Sequence, residues 1–166
     1  MSDSVPALPE PITWCTDTIT ARYPAFQFSV VDVYNERYNP GGSRDASGTG
    51  LPFADRAFDV VYAYSVFSHM VTADVAAYLV EVARVMAPAG VAVVTAFVEP
   101  DVLDESVNPP GYQGIEWKGA LHCVRFSRDH FAAMLGEAGL RIRTFEHGGE
   151  TDGQSRFVLE AGVPPA

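Results

Sequence analysis

The sequence predicts an α/β domain, a mostly parallel sheet flanked by helices with an antiparallel strand near the C-terminus. Strand-like and helix-like segments alternate along the chain, as crossover-connected strands require. Two strand-like runs, around 58–64 and 90–97, are almost continuously apolar, as strands covered on both faces are. Size and composition fit one such domain. The 166 residues are 48% apolar, 11% aromatic and only 19% charged, enough to build a core and too apolar for a disordered chain.

Three prolines, Pro6, Pro9 and Pro11, make the first eleven residues an extended lead-in. Ile12, Cys15 and Ile19 then recur at helical spacing, so a helix is expected over 10–22, closed by Pro24. Phe26 to Val33 is dense in aromatic and β-branched residues and reads as a strand. Residues 35–50, with Asn39-Pro40-Gly41-Gly42-Ser43 and Ser47-Gly48-Thr49-Gly50, form a loop of a length often functional. Phe58 to Tyr64 is the next strand. A helix follows with Thr72 as its cap, Asp74 in its first turn and Val75, Leu79, Val82 and Met86 on its apolar stripe; Pro88 and Gly90 end it.

Gly90 to Phe97 is a third buried strand, and 99–124 is irregular. Ser127 caps a short helix that turns Phe131, Met134, Leu135 and Ala138 inward and stops at Gly139. Arg141–Glu146 and Ser155–Ala161 close the chain as paired strands, with Phe157 and Leu159 alternating against Arg156, Val158 and Glu160.

The charge balance narrows the function classes. Eleven Lys and Arg against 21 Asp and Glu leave a net charge of −10. Such a surface repels phosphate backbones, so no nucleic-acid partner is expected, nor an anionic membrane. Cys15 and Cys123 are too few for a disulfide framework or a thiolate metal site. Met1-Ser2-Asp3-Ser4 brings neither a basic nor an apolar region, so no secretory signal is expected, and apolar runs of about seven residues are too short to span a bilayer. The expectation is a soluble, cytoplasmic protein.

Ligands of parallel α/β sheets settle beyond the carboxyl ends of the strands. That singles out Asp32-Val33, the run Ser65-Val66-Phe67-Ser68-His69, and Glu99. A carboxylate such as Asp32 accepts hydrogen bonds from nucleoside amines and hydroxyls; the alternative is that it only caps its strand. His69 is placed either to act as general base or to bond nearby backbone. Ser65 and Ser68 lack a nucleophile elbow. His122, Cys123 and His130 match no metal-ligand spacing, so no metal is expected. Trp117, Tyr112 and Phe126 line either a pocket in 99–124 or the core.

The string Leu51-Pro52-Phe53-Ala54-Asp55-Arg56-Ala57-Phe58-Asp59-Val60-Val61 resembles the class I S-adenosylmethionine-dependent methyltransferases. Ser65–Met70, Leu79–Met86, Pro88-Ala89-Gly90 and Leu135–Leu140 are similar to later segments of that family, so the resemblance runs over residues 12 to 161 in the family's order. It implies a Rossmann-like fold with S-adenosylmethionine as cofactor. Asp32 and Val33 would then lie near the adenine, Ser65, Val66 and Phe67 beside the methionine portion, and His69 toward cofactor or substrate as the catalytic residue.

The family's first two strands and its glycine-rich loop should precede Ile12, where eleven residues are too few for them. The resemblance is therefore to an N-terminally truncated member. The expected function is methyl transfer to a small-molecule acceptor whose pocket comes from 99–124. The alternative is a catalytically inactive, methyltransferase-like binding or regulatory subunit. Either way, a homodimer or a partner chain is expected to cover the missing strands.

Overall fold

The computed structural model describes residues 9–42 and 50–162. The chain divides into two compact units between Pro52 and Phe53.

In the N-terminal unit the expected helix forms as α1 (Pro9–Cys15), continued by a wider π turn over Thr16–Thr20. Ile12, Cys15 and Ile19 are its half-buried face, as their spacing predicts. The Thr16 hydroxyl donates back to the Ile12 carbonyl at 2.9 Å, the local bonding by which Thr bends helices. The segment 26–33 corrects an expectation. No strand among the described residues pairs with it, and Phe26 and Val30 lie exposed. β-rich composition makes a strand only against a neighbouring ladder. Here the Asn39 side chain instead gathers Asp32 and Val33 into a turn. Of the loop read over 35–50, residues 43–49, Gly48 among them, lie outside the described residues.

The C-terminal unit holds the sheet: β1 (Phe58–Ala63), β2 (Met86–Glu99), β3 (Glu105–Val107), β4 (Val124–Ser127), β5 (Leu140–Glu146) and β6 (Ser155–Ala161). Helix α2 (Thr72–Val85) connects β1 to β2, and α3 (Arg128–Glu137) connects β4 to β5. The order is β3-β4-β2-β6-β5, with β1 also paired to β2. The α/β class is as expected; the parallel majority is not. β2 runs parallel to β1 and β4 and antiparallel to β6, while β3–β4 and β5–β6 are also antiparallel. The short strands β3 and β4 lie inside and at the end of the stretch read as irregular, and they add one pairing of each kind.

The string before β1 has a structural job. Arg84 of α2 donates to the Phe53 carbonyl and to Asp55 Oδ1, both at 2.8 Å, while its other nitrogens hold Glu81. The Arg56 N–H donates to the Arg84 carbonyl at 2.9 Å. These bonds fasten the entrance of β1 to the end of α2. The α2 stripe is as read at Val75, Leu79 and Val82; Val85 is its last buried helical residue, and Met86, read as the fourth, is buried just beyond the helix. The cap is not as read. Val71 holds the cap position, and the Glu105 carboxylate accepts from the Thr72 N–H at 2.6 Å, so an acid distant in sequence serves the helix N-terminus.

The helix also ends sooner than Pro88. Met86 is already extended, and Pro88 and Gly90 lie within the longer β2. A side chain at Gly90 would meet the Phe58 carbonyl at 3.0 Å and Met86 Cγ at 2.8 Å, so glycine permits the close approach of β2 to β1. Ser127 caps α3 as expected, its hydroxyl accepting from the His130 N–H at 3.1 Å, and Gly139 ends it at φ +76°. Phe67, Leu79, Val94, Phe126, Phe131, Phe157 and Leu159 fill one core. No helix among the described residues is long and apolar enough to cross a membrane.

Candidate functional site at the strand ends

The chain leaves β1 through Ser65, whose φ is +55°. A side chain in this left-handed region costs about 1–2 kcal/mol, so surrounding bonds must hold it. The Ser65 N–H donates to Thr95 Oγ1 at 2.8 Å. The Thr95 hydroxyl in turn donates to Gln154 Oε1 at 2.9 Å, and Gln154 Nε2 donates to Ser65 Oγ at 2.9 Å. The same nitrogen donates to Asp152 Oδ2 at 2.6 Å. With a net contribution of about 0.5–1.5 kcal/mol per bond, the three bonds closing this ring are enough to offset the strain. Ser68 Oγ lies 3.2 Å from Ser65 Oγ.

A single 3₁₀ turn, Phe67–His69, follows. Phe67 is buried in the core cluster, while Val66 keeps 36% of its surface exposed at the rim. His69 Nδ1 is 3.0 Å from the Leu121 carbonyl oxygen. A carbonyl only accepts, so Nδ1 carries the proton and Nε2 is the basic nitrogen of the neutral ring. The backbone reading of His69 is the one seen: the Leu121 carbonyl holds the ring, and the hold fixes which nitrogen is basic.

Asp32 and Val33 lie in the N-terminal unit. Asn39 Nδ2 donates to Asp32 Oδ1 and to the Val33 carbonyl, each at 3.0 Å, so Asp32 anchors a turn where the sequence suggested a strand end. The structure thus places Ser65, Val66, Phe67 and His69 on one loop of the C-terminal unit, and Asp32 and Val33 on one turn of the other.

Farther along β2, Glu99 gathers groups that sequence reading left unconnected. Tyr112 donates its hydroxyl to Glu99 Oε1 at 2.9 Å, and His147 Nε2 lies 3.4 Å from Oε2. Burial and the Glu99 carboxylate push the Tyr112 hydroxyl above its ordinary pKa. Phe97 packs against the rings of Tyr112 and Trp117 at centroid distances of 5.7 and 5.8 Å. The Arg125 guanidinium lies over Tyr112 at 5.0 Å, and its buried Nε has no hydrogen-bond partner among the described residues. A cavity of about 450 Å³ opens beside Trp117, lined also by Asn108, Pro110 and Ile115.

Phe126, in contrast, is fully buried in the core. The His122, Cys123, His130 group points three ways: His122 to the Lys118 carbonyl, His130 to the Thr72 hydroxyl, and Cys123 into the interior. Burial raises the Cys123 thiol to about 12.

Thr95, Gln154, Asp152 and His147 were missed from sequence. Thr95 left one signal, a lone hydroxyl inside the apolar run of β2. Gln154 left none, because it sits in a turn-rich linker whose partners lie 59 and 89 residues away.

Residues 25–94 match the family model described as a methyltransferase domain. Among solved structures, the mitomycin 7-O-methyltransferase MmcR is similar at 17% identity and a TM-score of 0.58, covering 93% of this chain and 40% of its own. The PH0226 protein of Pyrococcus horikoshii is similar at 13% identity and a TM-score of 0.57, covering 92% of this chain and 68% of its own. The 1,6-didemethyltoxoflavin-N1-methyltransferase of Burkholderia thailandensis matches at 12% identity and a TM-score of 0.52 over 72% of this chain and 49% of its own. These structures share the fold. The chain spans 59%, 49% and 43% of the length of the first three solved structures it matches. The resemblance to the class I S-adenosylmethionine-dependent methyltransferases read at Leu51–Val61 therefore holds, carried by the matched segment 25–94 and by the fold.

Proposed function

We propose that this chain transfers a methyl group from S-adenosylmethionine to a small-molecule acceptor. One observation carries the reading: at the end of β1, within the matched segment, Ser65 is held in a strained backbone conformation beside the half-exposed Val66. Strain kept in place by surrounding bonds clusters at ligand sites. The loop fits the methionine portion of the cofactor, with Ser65 offering a hydroxyl and Val66 and Phe67 apolar surface.

When bound, the cofactor supplies an electrophilic methyl group. The protein's share is alignment, with His69 Nε2 taking the proton of a hydroxyl acceptor. Trp117 gives that acceptor an aromatic wall. Calorimetric titration with S-adenosylmethionine tests the reading: a saturable heat is expected. No heat and no thermal shift at millimolar cofactor would sink it.

A second reading is favoured by the surface of β1. Val60 and Tyr62 are each 66% exposed on its outward face, and among the described residues β1 pairs with β2 alone. In this reading the chain is a non-catalytic, methyltransferase-like subunit, and a second copy or a partner chain covers that face. The cofactor titration decides between them, and light scattering tests the covered face: a monomer at micromolar concentration would leave it without a second copy.

A further inference from the structure

We propose that Thr95 and Gln154 are positioning residues of the cofactor site, acting through Ser65; the inference rests on the methyl-transfer reading above. Both side chains are 1% exposed, in surroundings where apolar residues would pack without any polar demand. Their bonds close on one another. The Gln154 carbonyl takes the Thr95 hydroxyl, and its amide nitrogen serves Ser65 Oγ and Asp152. The Thr95 oxygen also receives the Ser65 N–H.

This ring of bonds ties together three parts of the chain that sequence leaves apart: the loop after β1, the middle of β2, and the turn entering β6. An isosteric apolar replacement of such a buried set is often neutral for stability. What only the polar set does here is grip Ser65 by both its N–H and its hydroxyl, and so hold its left-handed backbone. The direction in which Val66 and Phe67 leave the strand follows from that grip. Asp152 completes the arrangement, since its carboxylate takes both the backbone N–H and the side-chain amide of Gln154 and so fixes which way the amide faces.

The test is calorimetric titration with S-adenosylhomocysteine, run on variants whose near-ultraviolet circular dichroism matches the parent. Thr95→Val keeps the shape and removes the hydroxyl; Gln154→Leu removes the amide. Each is expected to weaken binding at least tenfold, whereas Thr95→Ser, which restores the hydroxyl, stays within threefold of the parent. In a Ser65→Gly background the Thr95→Val loss should shrink, because glycine adopts the left-handed conformation without support.

Should Thr95→Val fail to fold, Gln154→Met carries the same test from the opposite side of the ring at similar volume. A parent that binds together with an equally tight Thr95→Val variant overturns the positioning role. So does a Thr95→Ser variant as weak as Thr95→Val. A parent that does not bind at all is a different result: it removes the methyl-transfer reading, and this inference with it.

Discussion

β1 and β2 look alike as sequence and differ as structure. Phe58-Asp59-Val60-Val61-Tyr62-Ala63 and Val91-Ala92-Val93-Val94-Thr95-Ala96-Phe97 are both nearly unbroken apolar runs. β2 has β1, β4 and β6 as ladder neighbours, and Val94 to Val98 are buried on both faces. β1 has β2, and its faces separate: Val61 and Ala63 pack on the core, while Val60 and Tyr62 lie exposed. The difference teaches that an apolar run states a capacity for burial, and the neighbours determine how much of it is used. It also explains why the strand end most suited to a ligand is braced from β2. Thr95 belongs to the well-buried strand, and Ser65 follows the one with an open face.

The sharpest way to break this comparison is truncation on the buried strand. Phe97→Ala should cost about 3–5 kcal/mol of unfolding free energy in a guanidinium titration, the usual loss for a buried aromatic. A loss below 1 kcal/mol would mean that the β2 environment is loose. Gly90→Ala comes next. Its new methyl group collides with Met86 and with backbone atoms of Ala87 and Phe58, so the same titration should show a loss of about 1–3 kcal/mol.

A titration probes the buried side differently. Cys123 precedes β4, its pKa raised from 9.0 to about 12 by burial. The sign follows from linkage: the unfolded thiol ionises first, so this group's stabilising contribution is complete below pH 9 and is lost as pH rises toward 12. Thiolate absorbance at pH 10 should therefore show no ionised Cys123 in the folded protein, and should show it after guanidinium is added. Ionisation of Cys123 in the folded state at pH 10 would contradict its burial.

The smallest effect is expected on the open face. Val60→Thr and Tyr62→Ser should each change stability by no more than about 0.5 kcal/mol in dilute solution, as exposed substitutions do. A loss above 1 kcal/mol that grows with protein concentration would show this face covered by a second copy, and the contrast with β2 would then hold only for the isolated chain.

Legibility followed the range of the interactions. The α2 stripe of Val75, Leu79 and Val82, the Ser127 cap and the Phe157/Leu159 alternation could be read because each depends on residues a few positions apart. The candidate site was readable to the same depth. Ser65 to His69 could be found because they follow a strand. What holds them could not, since Thr95, Leu121 and Gln154 reach the loop from 30 to 89 residues away. The segment 26–33 failed for the converse reason: among the described residues its β-rich composition meets no partner strand, and the Asn39 amide offers Asp32 and Val33 a local alternative.

Local chemistry alone determined the α/β class, the β1–α2–β2 unit, the acidic charge balance and the loop after β1 as the place to look for a ligand. Tertiary structure decided the antiparallel majority, the open face of β1, the Glu105 cap on α2 and the ring of bonds around Ser65. The physical reason is common to all four. Periodicity and capping act within a turn or two of chain, whereas ladder partners and buried hydrogen bonds are chosen by whichever distant segment packs alongside.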